Sequence, residues 1–215
     1  MIKTVLRRNV LALGLVVAGI GLLGATPALA ANPAETYVQD NIHKGLDILN
    51  NKSLSVEQRR QQFASFLLGL TDMKRIANFT LGQYRRGKDG TPELAAFEAA
   101  FQNYAVAVYQ SYFAKYAGQT LKVTGSQARS PDDFIVATQL IDPNDRSGQA
   151  PLDVDFRVRT DQGKPVVVDV AYEGIWLSIQ QRDQFVGFLG QNNGNVRTLI
   201  AHLSDLAVNL GKPVN

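Results

Sequence analysis

Apolar positions recur along this chain with two different periods, and the change from one to the other divides it into helical and extended parts. Over 35–49, Tyr37, Val38, Ile42, Leu46 and Leu49 fall at the spacing of one helix face. Ser55 then stands where an N-cap is needed, with Gln58 placed to complete a capping box. Phe63, Phe66, Leu67 and Leu70 mark the apolar face of the helix that follows. A short helical stretch covers 72–79 and ends near Gly82. Pro92 suits the first turn of a long helix over 92–117, where the missing N–H would have no intrahelical acceptor in any case. Leu94, Phe97, Phe101, Tyr104, Ala105, Val108 and Tyr112 form its stripe, widened by Tyr109, Phe113 and Tyr116. So broad a stripe predicts a central core helix, or one that faces both core and cavity with tyrosine hydroxyls at a polar rim.

A period of two then takes over. The runs 121–126, 134–141, 152–160 and 166–172 read as strands, separated by turn-rich pieces such as Asp142-Pro143-Asn144-Asp145 and Asp161-Gln162-Gly163-Lys164. Those connections are too short for helical crossovers, so the sheet should be an antiparallel meander. Its third strand alternates Leu152, Val154, Phe156 and Val158 with Asp153, Asp155, Arg157 and Arg159. One face should therefore be wet and the other covered by helices. The stretch 165–203 passes from Val166-Val167-Val168 through Glu173-Gly174 into helices over 176–189 and 195–210, with no long loop between strand and helix. The expected fold class is α+β, a helical layer on a curled four-stranded antiparallel meander able to close into a half-barrel with a mouth. Inward alternation and the helical stripes make Val108, Tyr109, Tyr112, Phe134, Val136, Val168, Val170, Tyr172, Trp176 and Ile179 the candidates for an apolar, ligand-holding wall.

Charge changes the picture only once the first thirty residues are set apart. Lys3, Arg7 and Arg8 precede an apolar run from Val10 to Leu23, and Ala28-Leu29-Ala30 forms an A-x-A site. Residues 1–30 therefore read as a cleaved secretory signal peptide, its apolar run shorter than the roughly 20 residues that span a bilayer. A single domain over 31–215 remains. The chain has 22 Lys+Arg against 19 Asp+Glu, and removing those three bases leaves the mature part balanced. The basic pI thus belongs to the export signal and predicts no nucleic-acid partner.

Reactive chemistry is sparse. With no cysteine, thiol catalysis, disulfides, cysteine metal sites and acylated-cysteine anchoring are all excluded. His43 and His202 lie among ordinary helix residues, and no H-E-x-x-H or G-x-S-x-G pattern occurs. Neither a metal nor a cofactor is expected. Asp169 and Glu173, like Asp153 and Asp155, read as the solvent-facing half of alternating strands. The competing reading places Asp169 or Glu173 as acid or base in the mouth of a cone-shaped sheet. Arg182-Asp183 suits either an anionic group or a local surface pair. Tyr84-Arg85-Arg86-Gly87-Lys88 reads as an inter-helix loop, either solvated or facing lipid phosphates or an acidic partner.

Several pieces, in their order behind a signal peptide, resemble the MlaC family of Gram-negative periplasms, also called toluene-tolerance auxiliary proteins. They are Asn78-Phe79-Thr80-Leu81-Gly82-Gln83-Tyr84, Val168-Asp169-Val170 through Glu173-Gly174, Gln181-Arg182-Asp183-Gln184-Phe185, and Gly194-Asn195-Val196 with Leu199-Ile200 and Leu203. The family often has Tyr-Trp-Arg where this chain has Tyr84-Arg85-Arg86, and Val-Ser where it has Ile175-Trp176. The resemblance implies a fold partly similar to nuclear-transport-factor-like cones, with a lipid cavity. It implies a periplasmic phospholipid-binding protein that shuttles lipid between an outer-membrane lipoprotein–porin complex and an inner-membrane ABC transporter with an MCE-domain subunit. A hopanoid-associated carrier of the same family, a cone-fold enzyme using Asp169 or Glu173, and an exported adaptor with a filled core are the alternatives.

Overall fold

Among the described residues, 32–113 and 116–210, the computed structural model contains six α-helices and five strands. The expected signal peptide and its cleavage site lie outside them, as do the side chains of Tyr112 and Phe113. Helix α1 (Pro33–Leu49) starts at Asn32, whose side chain accepts the Ala34 N–H at 2.9 Å. Helix α2 (Val56–Leu70) opens on the capping box that Ser55 and Gln58 predict, each side chain accepting the other's backbone N–H. Asp72 caps α3 (Met73–Thr80), and a 3-10 turn at Gly82–Arg85 leads towards α4 (Pro92–Phe113). Gly82 sits at φ 53°, and a Cβ there would stand 2.9 Å from Val186, so only glycine lets this turn approach the C-terminal part of the chain.

Strands β1 (Thr120–Ser130), β2 (Asp133–Ile141), β3 (Leu152–Arg159), β4 (Val166–Tyr172) and β5 (Ile175–Trp176) form one antiparallel sheet in chain order. Helices α5 (Leu177–Gln191) and α6 (Val196–Leu210) complete the described chain. The meander is as expected, but there are five strands rather than four, and the sheet is not closed, since β1 and β5 do not pair. Glu173 (φ 49°) and Gly174 (φ 77°) make a two-residue turn with both φ values positive, which folds β5 back onto β4. A strand of two residues has no periodicity of its own, so the pattern merges it with the helix behind it.

Register separates the two sheet faces. Phe134 opposes Val158, and Val136 opposes Phe156, which in turn opposes Val170 on the inner face. Asp133 opposes Arg159, Ile135 opposes Arg157, and Arg157 opposes Asp169 on the outer face. A bulge between Arg157 and Val158 then pairs Val158 with Val167 and leaves Val168 unpaired.

Two cores result. In the helical layer Leu81, Phe97, Leu189, Leu199 and Leu203 are fully buried, and the Phe185 ring stands edge-on to Phe97 and Phe101, with centroids 6.2 Å apart. Tyr104 and Tyr109 pack against this core, so the broad stripe of α4 is chiefly a core stripe. The second core seats Ala34 and Val38 of α1 on Val136 and Val158 of the sheet.

The outer face is not simply wet. Asp133 is buried and receives Arg157 Nε at 2.9 Å and Nη2 at 2.6 Å, with Arg159 Nη1 at 3.4 Å. The Arg157 hydrogen bond, aided by the guanidinium charges, holds its carboxyl below the usual carboxylate range. Asp169 is also buried, against the expectation of a solvent-facing side chain, because α5 turns back over the end of β4. Its carboxylate accepts the N–H of Ser178 at 3.0 Å and the Ser178 hydroxyl, standing in for the capping side chain that Trp176 does not supply.

Two stability predictions follow from these carboxylates. Asp133→Asn should cost about 2 kcal/mol at neutral pH, below the range for a fully buried pair because the guanidiniums are partly exposed. Since the folded pKa is depressed, that stabilisation is present above the unfolded carboxylate value and is lost as pH falls through the folded one. Urea unfolding at about pH 7 should therefore separate wild type from variant, and the two curves should draw together as pH falls through the folded value. Asp169→Asn should lower stability by about 1 kcal/mol through the weakened α5 cap, read from the urea midpoint at unchanged slope.

Candidate functional site

The apolar stripe of α1 is longer than the strip of sheet it rests on. Ala34, Val38 and Ile42 pack into the core on the sheet, whereas Gly45, Leu46 and Leu49 look towards Phe63, Phe66, Leu67 and Leu70 of α2. These two helices and the inner sheet face, through Leu121, Leu140, Phe156 and Val167, enclose a cavity of about 250 Å³. Tyr116 and Gln119 also border it, and the Tyr116 hydroxyl lies 3.4 Å from Asn50 Oδ1 at the end of α1. Of α2 only Ala64 is buried, and Phe63, Phe66, Leu67 and Leu70 are half-buried because they face a hollow.

Among the described residues, the lining carries no carboxylate, imidazole, amine or guanidinium. Its polar groups are turned to the protein. The Tyr37 hydroxyl donates to the Leu70 carbonyl at 3.3 Å, Asn41 Nδ2 to the Tyr37 carbonyl at 2.7 Å, and Gln119 Nε2 to Asp142 at 3.0 Å. Burial pushes the Tyr37 hydroxyl pKa up, so it stays a neutral donor. A cavity of this character accepts hydrocarbon and offers nothing to stabilise charge.

None of the nine wall candidates with described side chains lines this cavity. Val108 and Tyr109 lie on α4, where Tyr109 packs into the helical core and burial raises its hydroxyl pKa. Phe134 and Val136 form the seat beneath α1, Val170 is half-buried on the same sheet face, and Tyr172 is exposed. Val168, Trp176 and Ile179 line a different space, a cleft of about 490 Å³ on the outer face. Tyr112 falls among the side chains outside the described residues. The helices that do line the cavity carry stripes indistinguishable in sequence from ordinary core stripes, which is why spacing alone pointed elsewhere.

The other candidate groups are placed as follows. Glu173 is exposed, and its carboxylate accepts the Asp153 N–H at 2.6 Å, which ties the β4–β5 turn to β3. Desolvation, then repulsion from Asp153, raises the pKa of Asp155. His43 is exposed beside Gln39, and His202 stacks on Phe188 with ring centroids 4.7 Å apart. Arg182 lies over the Phe79 ring at 5.2 Å. In the basic loop Arg85 pairs with Asp89 and Lys88 with Glu93, so it is largely a set of local ion pairs. No group of histidines and carboxylates with metal-binding spacing occurs among the described residues.

Comparison with known proteins adds an independent line. A structure of the phospholipid-binding protein from Ralstonia solanacearum, solved in complex with a phospholipid, superposes with a TM-score of 0.69. The match covers 84% of this chain and 100% of that one at 20% identity, a likeness of fold. No curated protein matches the sequence. The sequence model of the family described as MlaC protein matches residues 39–205. This chain, with its open antiparallel sheet and the apolar cavity between α1, α2 and the strands, belongs to the MlaC family.

Proposed function

We propose that this protein is a periplasmic phospholipid carrier, exported by its N-terminal signal peptide, that buries acyl chains between α1, α2 and the inner sheet face. The observation that carries the reading is the charge-free apolar cavity itself. Membership of the MlaC family and the phospholipid bound by the Ralstonia solanacearum protein support the cargo class. The carrier exchanges lipid between an outer-membrane lipoprotein–porin complex and an inner-membrane ABC transporter with an MCE-domain subunit, and so serves outer-membrane lipid asymmetry. It needs no cofactor, metal or catalytic group. Asp169 and Glu173 act as backbone-holding acceptors rather than as acid or base, in keeping with their hydrogen bonds to Ser178 and Asp153.

The energetics suit such a task. Each methylene kept from water contributes about 0.8 kcal/mol, so an acyl chain is strongly held wherever a dry wall replaces its hydration. At about 30 Å³ per methylene, close to a water's share of liquid volume, two chains of about sixteen carbons fill on the order of 1,000 Å³. That exceeds the cavity of about 250 Å³, so loading a diacyl lipid moves α2, the loosely seated wall, away from the sheet. Release then needs a partner that favours the empty, closed arrangement, because tight burial alone would trap the lipid.

Gly45 provides the test. It lies on the cavity side of α1, and a Cβ there would stand 3.2 Å from the Phe66 ring and 3.5 Å from Phe63. Gly45→Leu should drive Phe66 into the cavity while raising the helix propensity of α1 by about 0.8 kcal/mol. Gently purified wild type, extracted with organic solvent and analysed by mass spectrometry, should yield phospholipid at about one molecule per chain. The variant should retain at most about a tenth as much at an unchanged or higher Tm. Wild type that carries no lipid and takes none from vesicles, or a variant that loads normally, would contradict the proposal.

A further inference from the structure

The outer sheet face carries a second space that acyl-chain burial does not use. The cleft of about 490 Å³ is lined by Arg75 of α3, Arg129 of β1, Arg157 and Arg159 of β3, and Asp169 of β4. Apolar side chains interleave with them, chief among them Ile76, Phe79, Trp176 and Ile179. Phe79 and Ile179 are 42% and 48% exposed, so the cleft has an apolar rim as well as a cationic floor.

Three of its four guanidiniums, those of Arg75, Arg157 and Arg159, are held in place before any ligand arrives. Asp133 binds Arg157 through both oxygens and also receives Arg159. Asp161 accepts from Arg159 Nη2 at 2.8 Å and from Arg75 at 3.3 Å. The resulting chain runs Arg75–Asp161–Arg159–Asp133–Arg157. Hydrogen bonds from Arg159 and Arg75 lower the Asp161 pKa to about 2, so this partner stays ionised across the physiological range. The one carboxylate that lines the cleft, Asp169, has its oxygens on Ser178 and on the Val170 N–H.

Donors exceed acceptors in this arrangement. A guanidinium has five N–H groups, and two carboxylates use only part of what three arginines offer. Arg159 keeps a buried Nε–H with no acceptor, a group whose desolvation is uncompensated in the structure. Arg129 forms no ion pair among the described residues, although its charge reaches Asp133. Fixed forks with spare N–H groups suit a tetrahedral oxyanion that takes paired hydrogen bonds.

We propose that this cleft is a second binding site, which takes the phosphate group of an amphiphile on Arg75, Arg129 and Arg159 and its apolar part against Phe79, Trp176 and Ile179. The phosphate reaches it either as a headgroup in a bilayer surface or as a soluble phosphate ester, and the chemistry recognised is the same. The site lies on the sheet face opposite the acyl cavity, so it touches a membrane or a free ligand without emptying the carrier.

Trp176 is the only tryptophan of the chain and lines the cleft, which makes its emission a direct probe. Full-length mature protein is titrated with inorganic phosphate, with glycerol 3-phosphate, and with phosphatidylglycerol vesicles, following emission and, for the soluble ligands, calorimetric heat. A saturable response is expected that weakens by at least about tenfold in the Arg75→Gln/Arg129→Gln variant, with acyl-lipid loading unchanged. Arg129→Gln alone, which removes no ion pair, should give part of that loss. Saturation by the soluble esters assigns free phosphate as a ligand, and a response to vesicles alone assigns the bilayer headgroup. No saturable response to any of the three, or an equal response in the double variant, overturns the site. Because acyl loading is read separately by extraction, failure here leaves the carrier proposal standing, and loss of loading in the wild type would not remove this site.

Discussion

The seating of the first turns of α1 on the sheet is the contact on which the rest of the structure depends. Ala34 and Val38 are pressed onto Val136 and Val158 with almost no exposure. That contact fixes the height of α1 above the strands, and the helix then runs on past its seat. Beyond it, Gly45, Leu46 and Leu49 stand over a space that the strand side chains do not fill, and α2 closes the gap with two phenylalanines and two leucines. A cavity is therefore created by a mismatch between the length of an apolar stripe and the length of its support. Its walls remain separately stabilised, because the helical core around Phe97, Leu189 and Leu199 forms elsewhere.

This division lets each sheet face do one thing. Where it lines the cavity, the inner face carries no charged side chain among the described residues and offers β-branched and aromatic surface, which suits hydrocarbon. The outer face gathers the two arginines of β3 into a paired network with Asp133 and Asp161 and covers its far end with α5. Strand alternation makes such segregation unavoidable, since every second side chain must point the other way. Charge and hydrocarbon thus stay within one strand of each other without sharing a compartment.

Much of the fold was legible because its determinants are local. The Ser55–Gln58 capping box, the alternation of Leu152 to Arg159 and the short turns each encode one geometric outcome, and the structure contains them all. What was not legible is decided at long range. Strand β5 exists because Glu173-Gly174 can take positive φ, a feature two residues long. Asp169 looked solvent-facing by alternation, yet it is buried because α5 returns over it. The lining of the cavity leaves no local mark in the pattern. Phe66 and Leu46 carry the same helical spacing that Phe97 and Leu199 carry, and only the presence or absence of a filled neighbour distinguishes a cavity wall from a core. Trp176 lines the outer cleft rather than the cavity between α1 and α2.

The central claim is a location, so the most direct measurement is the crystal structure of the mature protein loaded with a brominated-acyl phospholipid. Anomalous density from the bromines should lie between α1 and α2, within van der Waals reach of Phe66, Leu46 and Phe156, with α2 displaced from the sheet. Bromine density between α4 and the β4–α5 segment, or in the outer cleft with the α1–α2 cavity still closed, would contradict the account.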